Sequence, residues 1–360
     1  MADLNHPFEA LADLPGASFA AVRLMILAQA KSSGLTVLED AQQALTIETP
    51  QGVVGLRPGK TCDVAVMVGA RDDRALFALK GAVVAQISQV MPDIANTLRW
   101  SDDPAQRTLP PNFQFMRATR VEAVGSVFLR VTLAGDDVSA HQDRSIHFRL
   151  VLPPKGQEPT WPSVAPNGSI AWPDGEQALH RPVYTARAVD HDNHTIEVDI
   201  FVHEGGRVTE WARELEVGDL ERSVIGVVGP SGGGLLDADH VLMASDETGF
   251  PAVARLLEGL PASATGTLLL EAEHGAACHY PLPAHQGLSV QWLSRARGEH
   301  LGEATLSALG AQADASVWFA GERSDAKRVR DRAKELGVPQ DRLRVSGFWR
   351  APDEIVAAAE

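Results

Sequence analysis

The sequence predicts three domains: a small α+β domain, an antiparallel β-barrel, and an α/β domain with a parallel sheet. Three observations support this fold class. The chain has 360 residues, which is long for a single domain. Closely spaced strand-like runs dominate from Phe113 to about residue 230, as in antiparallel barrels. After Asp237, strand-like and helix-like runs alternate, which is typical of a parallel sheet covered by helices. We expect the domains to span residues 1–105, 106–236 and 237–360.

The first domain mixes helical and strand patterns. Helical periodicity predicts a helix over 18–33, before Gly34, and a longer one over about 75–98 with a break at Met91-Pro92. Short β-prone runs cover 44–49, 52–57 and 62–68, with turns between them. A polar, proline-marked segment over 101–112 predicts a linker. We find no catalytic constellation in this domain.

The second domain consists of strand-like runs separated by proline and glycine clusters. The runs cover 127–133, 146–153, 181–189, 195–203 and 224–230, and a long loop covers 153–173. In the fourth run, Ile196, Val198, Ile200 and Val202 alternate with mostly polar partners. This spacing predicts an antiparallel barrel.

The third domain alternates strands and helices. Strands are predicted over 240–245, 267–273, 288–293, 316–322 and 344–348, and helices over 251–260, 299–309 and 325–336. Ligands of such sheets bind at the carboxyl ends of the strands. We therefore expect a nucleotide near Ser245-Asp246-Glu247-Thr248 or Gly321-Glu322, with Asp246 or Thr248 as an N-cap. The GxGxxG fingerprint is absent from this part of the chain.

Composition excludes several classes. The net charge of −15 argues against general nucleic-acid binding, and no apolar run approaches the ~20 residues that span a bilayer. The N-terminus lacks a secretory signal pattern, and the two cysteines, Cys62 and Cys278, form no disulfide framework or iron–sulfur motif. We expect a cytoplasmic protein without a metal site of its own, since His274 and His279 beside Cys278 favour a plain loop.

Basic residues concentrate in one part of this acidic chain. Residues 320–350 contain nine lysines and arginines against five acids. Such an excess can attract an anionic ligand. It is also compatible with a solvated helix face that carries pairs such as Lys327–Asp331, and the sequence leaves both interpretations open.

The segment 181–187 combines a cation, an aromatic ring and a hydroxyl in Arg181, Tyr184 and Thr185. These groups suit a planar cofactor with a phosphate tail, because a cation meets phosphate, a ring covers an aromatic system and a hydroxyl reaches a ring heteroatom. An edge strand with ordinary cross-strand pairs explains the same residues.

Eight segments in order carry a resemblance to a known family. They are Arg181–Arg187, Asp199–His203, Trp211-Ala212, Gly218-Asp219, Gly229-Pro230, Asp246-Glu247-Thr248 with Pro251-Ala252, Gly321-Glu322 and Gly347-Phe348-Trp349-Arg350. Together they resemble the siderophore-interacting proteins, FAD-dependent ferric-siderophore reductases with a ferredoxin-reductase-like fold, over roughly residues 113–350. The N-terminal region resembles, more loosely, an accessory domain of unassigned function that can accompany this family.

The resemblance implies a role for individual residues. Tyr184 would lie against the isoalloxazine and Thr185 near its N5, so these two are the implied catalytic residues. The FAD pyrophosphate would meet Arg181, His203, Gly205, Gly206, Val208 and Thr209. The nicotinamide nucleotide would meet Asp246, Glu247, Thr248, Pro251, Gly321 and Glu322, with Trp349 near the flavin or nicotinamide face. For an anionic ferric chelate, the candidate cations are Arg295, Arg297, Lys327, Arg328 and Arg350.

The implied function is electron transfer from NADPH or NADH through FAD to Fe(III) in a siderophore, which releases Fe(II). Four departures from the family pattern concern the cofactor contacts. Ser245 replaces a usual Gly, Phe348 a usual Tyr and Arg207 a common Pro, and the loop from His203 to Trp211 is one residue shorter. Two alternatives remain: a non-catalytic ferric-siderophore-binding module and a general NAD(P)H:flavin oxidoreductase. The choice between NADH and NADPH, the siderophore and the oligomeric state stay open, although a monomer is compatible with the sequence.

Overall fold

The computed structural model describes residues 6–59, 64–102, 109–141, 145–218, 223–229, 231–312 and 314–351. The chain divides into two compact units. The first contains residues 1–113 and 152–180, and the second contains residues 114–151 and 181–360. Cys62, Asp219 and Pro230, which the sequence analysis singled out, lie outside the described residues.

The first unit contains a five-stranded antiparallel sheet. Its strands are β1 (Phe8–Leu14), β2 (Thr36–Ala41), β3 (Ala44–Thr49), β4 (Gly52–Arg57) and β5 (Val64–Ala70), in the order β1-β5-β4-β3-β2. Alternate residues such as Leu14, Val66 and Leu56 are fully buried, because successive side chains of a strand point to opposite faces. One face of the sheet therefore belongs to the core.

Three helices contribute to the same core. They are α1 (Phe19–Ser32), α2 (Asp73–Val90) and α3 (Pro92–Thr97). Asp72 caps α2 by accepting a hydrogen bond from the Ala75 N–H at 2.8 Å. Met91 ends α2 and Pro92 starts α3, which confirms the predicted break, since proline lacks the N–H that a continuing helix needs.

The long loop between two barrel strands belongs to the first unit. It contains the short strands β9 (Ser163–Val164) and β10 (Ile170–Ala171). The Trp100 indole donates to the Asn167 carbonyl at 2.8 Å, and the Asn167 amide donates to the Ala95 carbonyl at 3.0 Å. Lys80, buried beside them, pairs with Asp102 at 2.8 Å. The two compact units are thus drawn differently from the three predicted domains, since residues 152–180 belong to the first unit. The domain boundaries at 105 and 236 stay a prediction.

The second unit begins with antiparallel strands. They are β6 (Phe113–Val124), β7 (Phe128–Ala134), β8 (His147–Val151), β11 (Val183–Thr185), β12 (Ala188–Asp190), β13 (Thr195–Phe201) and β14 (Val224–Val228), in the order β11-β8-β14-β6-β7-β13-β12. The strand predicted over 181–189 is thus divided into β11 and β12, which pair with different neighbours. Between them, the Ala186 N–H donates to the Ile146 carbonyl, just before β8, and the Arg187 N–H donates to the Glu197 carbonyl of β13. The segment between β11 and β12 therefore joins the two edges of the sheet. The predicted antiparallel barrel is confirmed.

A parallel five-stranded sheet follows, as predicted. Its strands are β15 (His240–Asp246), β16 (Thr265–Ala272), β17 (Leu288–Ser294), β18 (Ser316–Glu322) and β19 (Leu343–Trp349), in the order β17-β16-β15-β18-β19. Helix α5 (Phe250–Gly259) packs with Val241 and Met243 on one face. Helices α6 (Leu301–Ala311) and α7 (Arg323–Glu335) pack with Leu242 and Ala244 on the other. Strand order reverses beside β15, where α/β sheets hold their ligands.

One helix in this unit was not predicted. Helix α4 spans Arg207–Val217, between β13 and β14. Val208, Ala212 and Leu215 are buried apolar residues of this helix at helical spacing. Within the described residues, no helix combines the length and the apolar character that a membrane span requires.

Candidate functional site

A cleft of about 1110 Å³ lies within the second unit. Barrel residues form one side, from Ile146-His147, Pro182–Thr185, Asp199, Phe201 and His203. The α/β part supplies Thr248 and Pro251 at the start of α5, and Leu343–Trp349 along β19. Small-molecule clefts usually enclose about 300–1,000 Å³, so this cleft has room for a large ligand.

Tyr184 and Thr185 lie together on β11, facing the cleft. Register pairs Thr185 with His147 of β8, and Thr185 Oγ1 is 3.3 Å from His147 Nδ1. Burial lowers the pKa of His147, although a hydrogen bond with the Tyr184 backbone partly opposes this. Burial also raises the pKa of Tyr184. Both rings are therefore neutral at pH 7, so this wall offers a neutral aromatic face and a hydroxyl.

Arg181 precedes β11, and its side chain is exposed. Its carbonyl accepts a hydrogen bond from Arg149 Nη1 at 2.8 Å, which fixes the backbone just before the cleft-lining residues. Arg181 is thus held directly before the cleft residue Pro182, and a cation next to a binding wall suits a ligand that carries phosphate.

The turn after β13 leads directly into α4. Gly205 has φ +72°, a conformation that favours glycine, and Gly206 is the N-cap residue of α4. A Cβ at Gly206 would lie 2.6 Å from His203 Cε1, so a glycine here allows the His203 ring to pack against the turn. Val208 is buried in the first turn. Glycine has no side chain to cap the helix, which leaves the first N–H groups of α4 as donors for an anion.

Thr209 stabilises this turn through its hydroxyl. Its Oγ1 donates to the Phe201 carbonyl at 3.3 Å and accepts from the His203 N–H at 3.3 Å. The single hydroxyl proton is therefore used within the protein. Any contact of Thr209 with a phosphate must come from its backbone N–H.

Asp246 is the last residue of β15, and Thr248, two residues later, lines the cleft. Asp246 is buried and accepts from the Thr248 N–H at 2.9 Å and the Thr248 hydroxyl at 2.5 Å. The predicted N-cap role of Asp246 is confirmed, for the single 3₁₀ turn Glu247–Gly249 that precedes α5. Pro251 occupies the first turn of α5, where proline is well tolerated.

Trp349 and Gly321 meet Asp246. The Trp349 indole donates to Asp246 Oδ2 at 2.6 Å, while 42% of the Trp349 residue surface remains exposed. A Cβ at Gly321 would lie 3.2 Å from Asp246 Oδ2. Burial raises the pKa of Asp246 to about 6, against the hydrogen bonds from Thr248 and Trp349. Asp246 thereby fixes the position of an aromatic ring at the edge of the cleft.

Glu322 serves as the N-cap of α7. Its carboxylate accepts from the backbone N–H groups of Ser324 at 2.5 Å and Asp325 at 3.1 Å. This orientation places the carboxylate over the helix start. We therefore attribute to Glu322 a role in shaping the end of β18.

Glu247 belongs to an ion cluster with Arg295. The Arg295 guanidinium bonds both carboxylate oxygens of Glu247, at 2.5 and 2.8 Å, and one oxygen of Glu271 at 2.9 Å. Its Nε lies 3.5 Å from Glu273. Both Glu247 and Glu271 are buried. Because carboxylates occupy its donors, the geometry does not support the anion-binding role predicted for Arg295.

The other predicted cations are spread over the surface of the α/β part. Lys327 pairs with Asp331 at 2.7 Å, as expected for a solvated helix face that carries ion pairs. Arg328 pairs with Glu303 at 2.6 Å and with Asp325 at 3.1 Å, and Arg297 with Glu299 at 3.1 Å. Arg350 follows the cleft residue Trp349 and is half-buried. Exposed pairs of this kind contribute little to stability and open readily.

Several cleft residues received no role in the sequence analysis, although Asp199 and Phe348 belong to segments that it named. His147 and Asp199 come from barrel strands, while Gly233, Arg344 and Phe348 come from the α/β side or the segment before it. The His147 ring contacts Phe348 edge-on, with 5.8 Å between ring centroids. Arg344 donates to the carbonyls of Gly234 and Leu235, both at 3.1 Å. A local pattern cannot reveal these contacts, because they depend on strand register.

Hydrogen bonds fix the two sides of the cleft to each other. Tyr280 donates to Asp199 Oδ2 at 2.6 Å, and Asp199 also accepts two bonds from Arg130. Ser126 N–H donates to the Cys278 carbonyl at 2.9 Å. These links hold the barrel and the parallel sheet of the second unit at a set distance.

Comparison with known families decides the assignment. Residues 117–234 match the siderophore-interacting FAD-binding domain, and residues 238–352 match the siderophore-interacting protein domain. Together the two matches cover most of the second unit and more than half of the chain. The chain belongs to the siderophore-interacting protein family.

Individual relatives are similar over the same region. The NADPH-dependent ferric-chelate reductase of Escherichia coli (strain K12) is 28% identical over 249 residues, which is 66% of this chain and 93% of the relative. The ferric vibriobactin reductase ViuB of Vibrio cholerae is 27% identical over 198 residues, 53% of this chain and 68% of the relative. The crystal structure of a siderophore utilization protein from T. fusca is 27% identical, with a TM-score of 0.53, and the match covers 68% of this chain and 95% of that one.

The site residues fit the FAD that this family binds. The cleft has the volume for a dinucleotide, and Tyr184 and Thr185 offer a ring and a hydroxyl on one wall. Helix α4 begins at Gly206 without a side-chain cap, so a phosphate is well placed at its first N–H groups. The barrel therefore offers an aromatic wall to the cleft, and α4 offers an uncapped helix start.

Proposed function

We propose that this protein is an FAD-dependent reductase that passes electrons from NADH or NADPH to Fe(III) held by a siderophore. One observation carries the proposal: a single cleft is lined by Tyr184-Thr185 and His203 of the barrel part and by Thr248, Pro251 and β19 of the α/β part. A flavin site and a nucleotide site thus share one space. The ferric reductase names of the relatives support the choice of acceptor.

In this proposal the barrel binds FAD. Tyr184 packs against the isoalloxazine, and the Thr185 hydroxyl, fixed by His147, points toward N5. The N–H groups at the start of α4, from Arg207 to Thr209, bind the pyrophosphate together with Arg181. Gly205 and Gly206 allow the chain to approach closely, because neither carries a side chain. Thr209 and His203 hold the turn.

The α/β part binds the nicotinamide nucleotide in this proposal. Thr248 and Pro251 form the start of α5, Gly321 provides space beside Asp246, and Trp349 covers the edge of the cleft. Asp246 acts as a positioning residue, because its carboxylate orients both Thr248 and Trp349. Glu322 and Glu247 shape the carboxyl ends of β18 and β15 through their caps and ion pairs.

When bound, FAD supplies hydride acceptance from the nicotinamide and delivery of single electrons to iron. The protein contributes position, neutral aromatic walls and exclusion of water from the wall of the cleft. The iron remains a substrate in its chelate. Oxygen-donor chelators hold Fe(II) less tightly than Fe(III), so reduction favours release.

An anionic ferric chelate must approach a protein with a net charge of −15. Local cations near the opening of the cleft reduce this repulsion. Arg344 lines the cleft near the start of β19 and Arg350 follows the last residue of that strand, so we assign substrate attraction to these two arginines. Arg297, Lys327 and Arg328 lie in exposed pairs and remain secondary candidates, while Arg295 is left out of the proposal.

A comparison of acceptors tests this function. Purified protein loaded with FAD would be supplied with NADH or NADPH and with ferric siderophores, quinones or oxygen, while a strong Fe(II) chelator reports released iron. We expect the highest kcat/KM with a ferric siderophore, with two Fe(II) formed for each nucleotide oxidised. Turnover confined to quinones or oxygen would show a general flavin oxidoreductase instead. Siderophore binding without any turnover would show a binding module.

A further inference from the structure

The far edge of the parallel sheet can distinguish NADH from NADPH. In open α/β sheets a dinucleotide lies across the carboxyl ends of the strands. An acid there binds the ribose 2′-hydroxyl of NADH, whereas an arginine accommodates the 2′-phosphate of NADPH. In this sheet, β18 and β19 reach the cleft, and β16 and β17 lie on the other side of β15. A nicotinamide in the cleft therefore places its adenosine toward the ends of β16 and β17.

Arg295 is the cation that follows β17 directly, but its donors are already occupied. Arginine carries five N–H groups. Three bonds reach Glu247 and Glu271 at 2.5–2.9 Å, and Nε faces Glu273 at 3.5 Å. Removing Arg295 from these buried carboxylates would leave them unpaired, which is costly. Binding of a 2′-phosphate by this guanidinium would therefore carry a large free-energy cost.

Ser294 and Arg297 are also engaged at this edge. The Ser294 hydroxyl donates to the Glu273 carbonyl at 3.0 Å, and its N–H donates to Glu299 at 2.7 Å. Arg297 pairs with the same Glu299 at 3.1 Å. Ser294 is thus satisfied within the protein, and Arg297 has Glu299 as an acceptor, although this pair is exposed and opens more readily than the cluster around Arg295.

The charge of this edge is negative. Four carboxylates, Glu247, Glu271, Glu273 and Glu299, face two guanidinium groups. Glu273 is the most open of the acids, because 61% of its side chain is exposed. Its backbone is held in place by the carboxylate of Glu247 at 3.0 Å, so its carboxylate projects from a fixed point.

We propose that this site selects NADH over NADPH, with Glu273 as the specificity-determining residue that accepts a hydrogen bond from the ribose 2′-hydroxyl. The inference rests on the proposed function, since it concerns the electron donor of the same site. A 2′-phosphate brings about two negative charges to an edge that is already negative. The repulsion is electrostatic, so added salt weakens the selection.

Binding of the adenosine halves alone tests the inference without flavin turnover or iron. Calorimetry would compare 5′-AMP with 2′,5′-ADP at low and high salt, and kcat/KM for NADH and NADPH would follow on the FAD-loaded protein. We expect 5′-AMP to bind at least about tenfold more tightly at low salt, with a smaller ratio at high salt. Equal or tighter binding of 2′,5′-ADP would overturn the inference and leave the proposed reductase intact. If neither 5′-AMP nor 2′,5′-ADP binds and NADH is not oxidised, the inference and the proposed reductase function would both be overturned.

A matched pair of variants isolates Glu273. Glu273→Gln keeps the shape and removes one negative charge, so the preference for 5′-AMP should fall by about fivefold. Glu335→Gln removes an exposed, arginine-paired carboxylate from the last turn of α7, at the opposite end of that helix from the carboxyl edge of the sheet. This control should keep the preference of the unaltered protein. An identical preference in both variants would contradict the role of Glu273.

Discussion

Gly206→Ala tests the phosphate cradle at the start of α4. The added Cβ would lie 2.6 Å from His203 Cε1 and 3.0 Å from Thr209 Oγ1, so the imidazole must move. Gly206 has φ −74°, which alanine adopts without strain, so we expect the protein to fold. The displaced His203 ring then competes with a pyrophosphate for the N–H groups of the first helical turn.

The expected loss is large because an anion at this point gains two contributions. A hydrogen bond to a charged group contributes about 1.5–3 kcal/mol, and the helix N-terminus about 0.3–1 kcal/mol. Loss of one such bond and part of the helix effect corresponds to about 3 kcal/mol, or roughly a 100-fold weaker Kd for FAD. Titration of the apoprotein with FAD, followed by flavin fluorescence, measures this directly.

Gly310→Ala is the matched control. Gly310 lies in α6 with open space around its Cβ position. Replacing a helical glycine by alanine should stabilise the protein by up to about 1 kcal/mol and leave the affinity for FAD unchanged. Equal FAD affinity in Gly206→Ala and Gly310→Ala would refute the assignment of this turn to the pyrophosphate.

Three further predictions concern buried polar groups. Burial raises the pKa of Asp246 to about 6, so the folded state binds more protons than the unfolded state between about pH 4 and 6. The free energy of unfolding therefore falls as pH rises through that window, by as much as about 3 kcal/mol. Asp246→Asn should abolish this slope in denaturant titrations, and an unchanged slope would contradict the prediction. Tyr280→Phe removes the 2.6 Å bond to Asp199 and should cost about 1.5–3 kcal/mol by denaturant unfolding, whereas no loss would show that Arg130 alone satisfies the carboxylate. Trp100→Phe leaves the Asn167 carbonyl without its indole donor and should destabilise the first unit by about 1–2 kcal/mol, measured by its unfolding midpoint, with an unaltered midpoint as the contrary result.

Strong local patterns were sufficient for much of the fold. The alternation after Asp237 predicted each parallel strand, since strands buried on both faces read as apolar runs such as those of β15 and β16. Met91-Pro92 predicted a helix break because proline has no backbone N–H to continue the helix. The α4 signal was also present, because Val208, Ala212 and Leu215 recur at helical spacing, but the charged residues between them hid it.

Other elements depend on tertiary contacts. Strand β1 buries Ala10 and Ala12, small side chains that also suit helices, so its alternation carried little signal. β2 is an exposed edge strand without a buried face. The chain over 181–189 reads as one strand, but it turns at Ala186 and Arg187 to pair with two neighbours.

The candidate site also contains residues that local sequence can reveal and residues that depend on tertiary contacts. Tyr184, Thr185 and the glycines before α4 follow one another closely in sequence, so family resemblance could single them out. His147 reaches Thr185 only through the register of β8 with β11, and Arg295 finds its three acids only when β15, β16 and β17 align. The sequence analysis named Arg295 as a candidate cation for an anionic chelate because sequence does not show which carboxylates fold against it.

An anaerobic absorbance titration tests the central claim most directly. The purified protein, supplied with FAD if needed, would receive NADH or NADPH and then a ferric siderophore, while the flavin bands are followed. The proposed function predicts that the bands bleach with the nucleotide and return in full with the ferric chelate, as Fe(II) forms. A protein that stays colourless after incubation with FAD, or whose bleached bands do not return with the chelate, would contradict it.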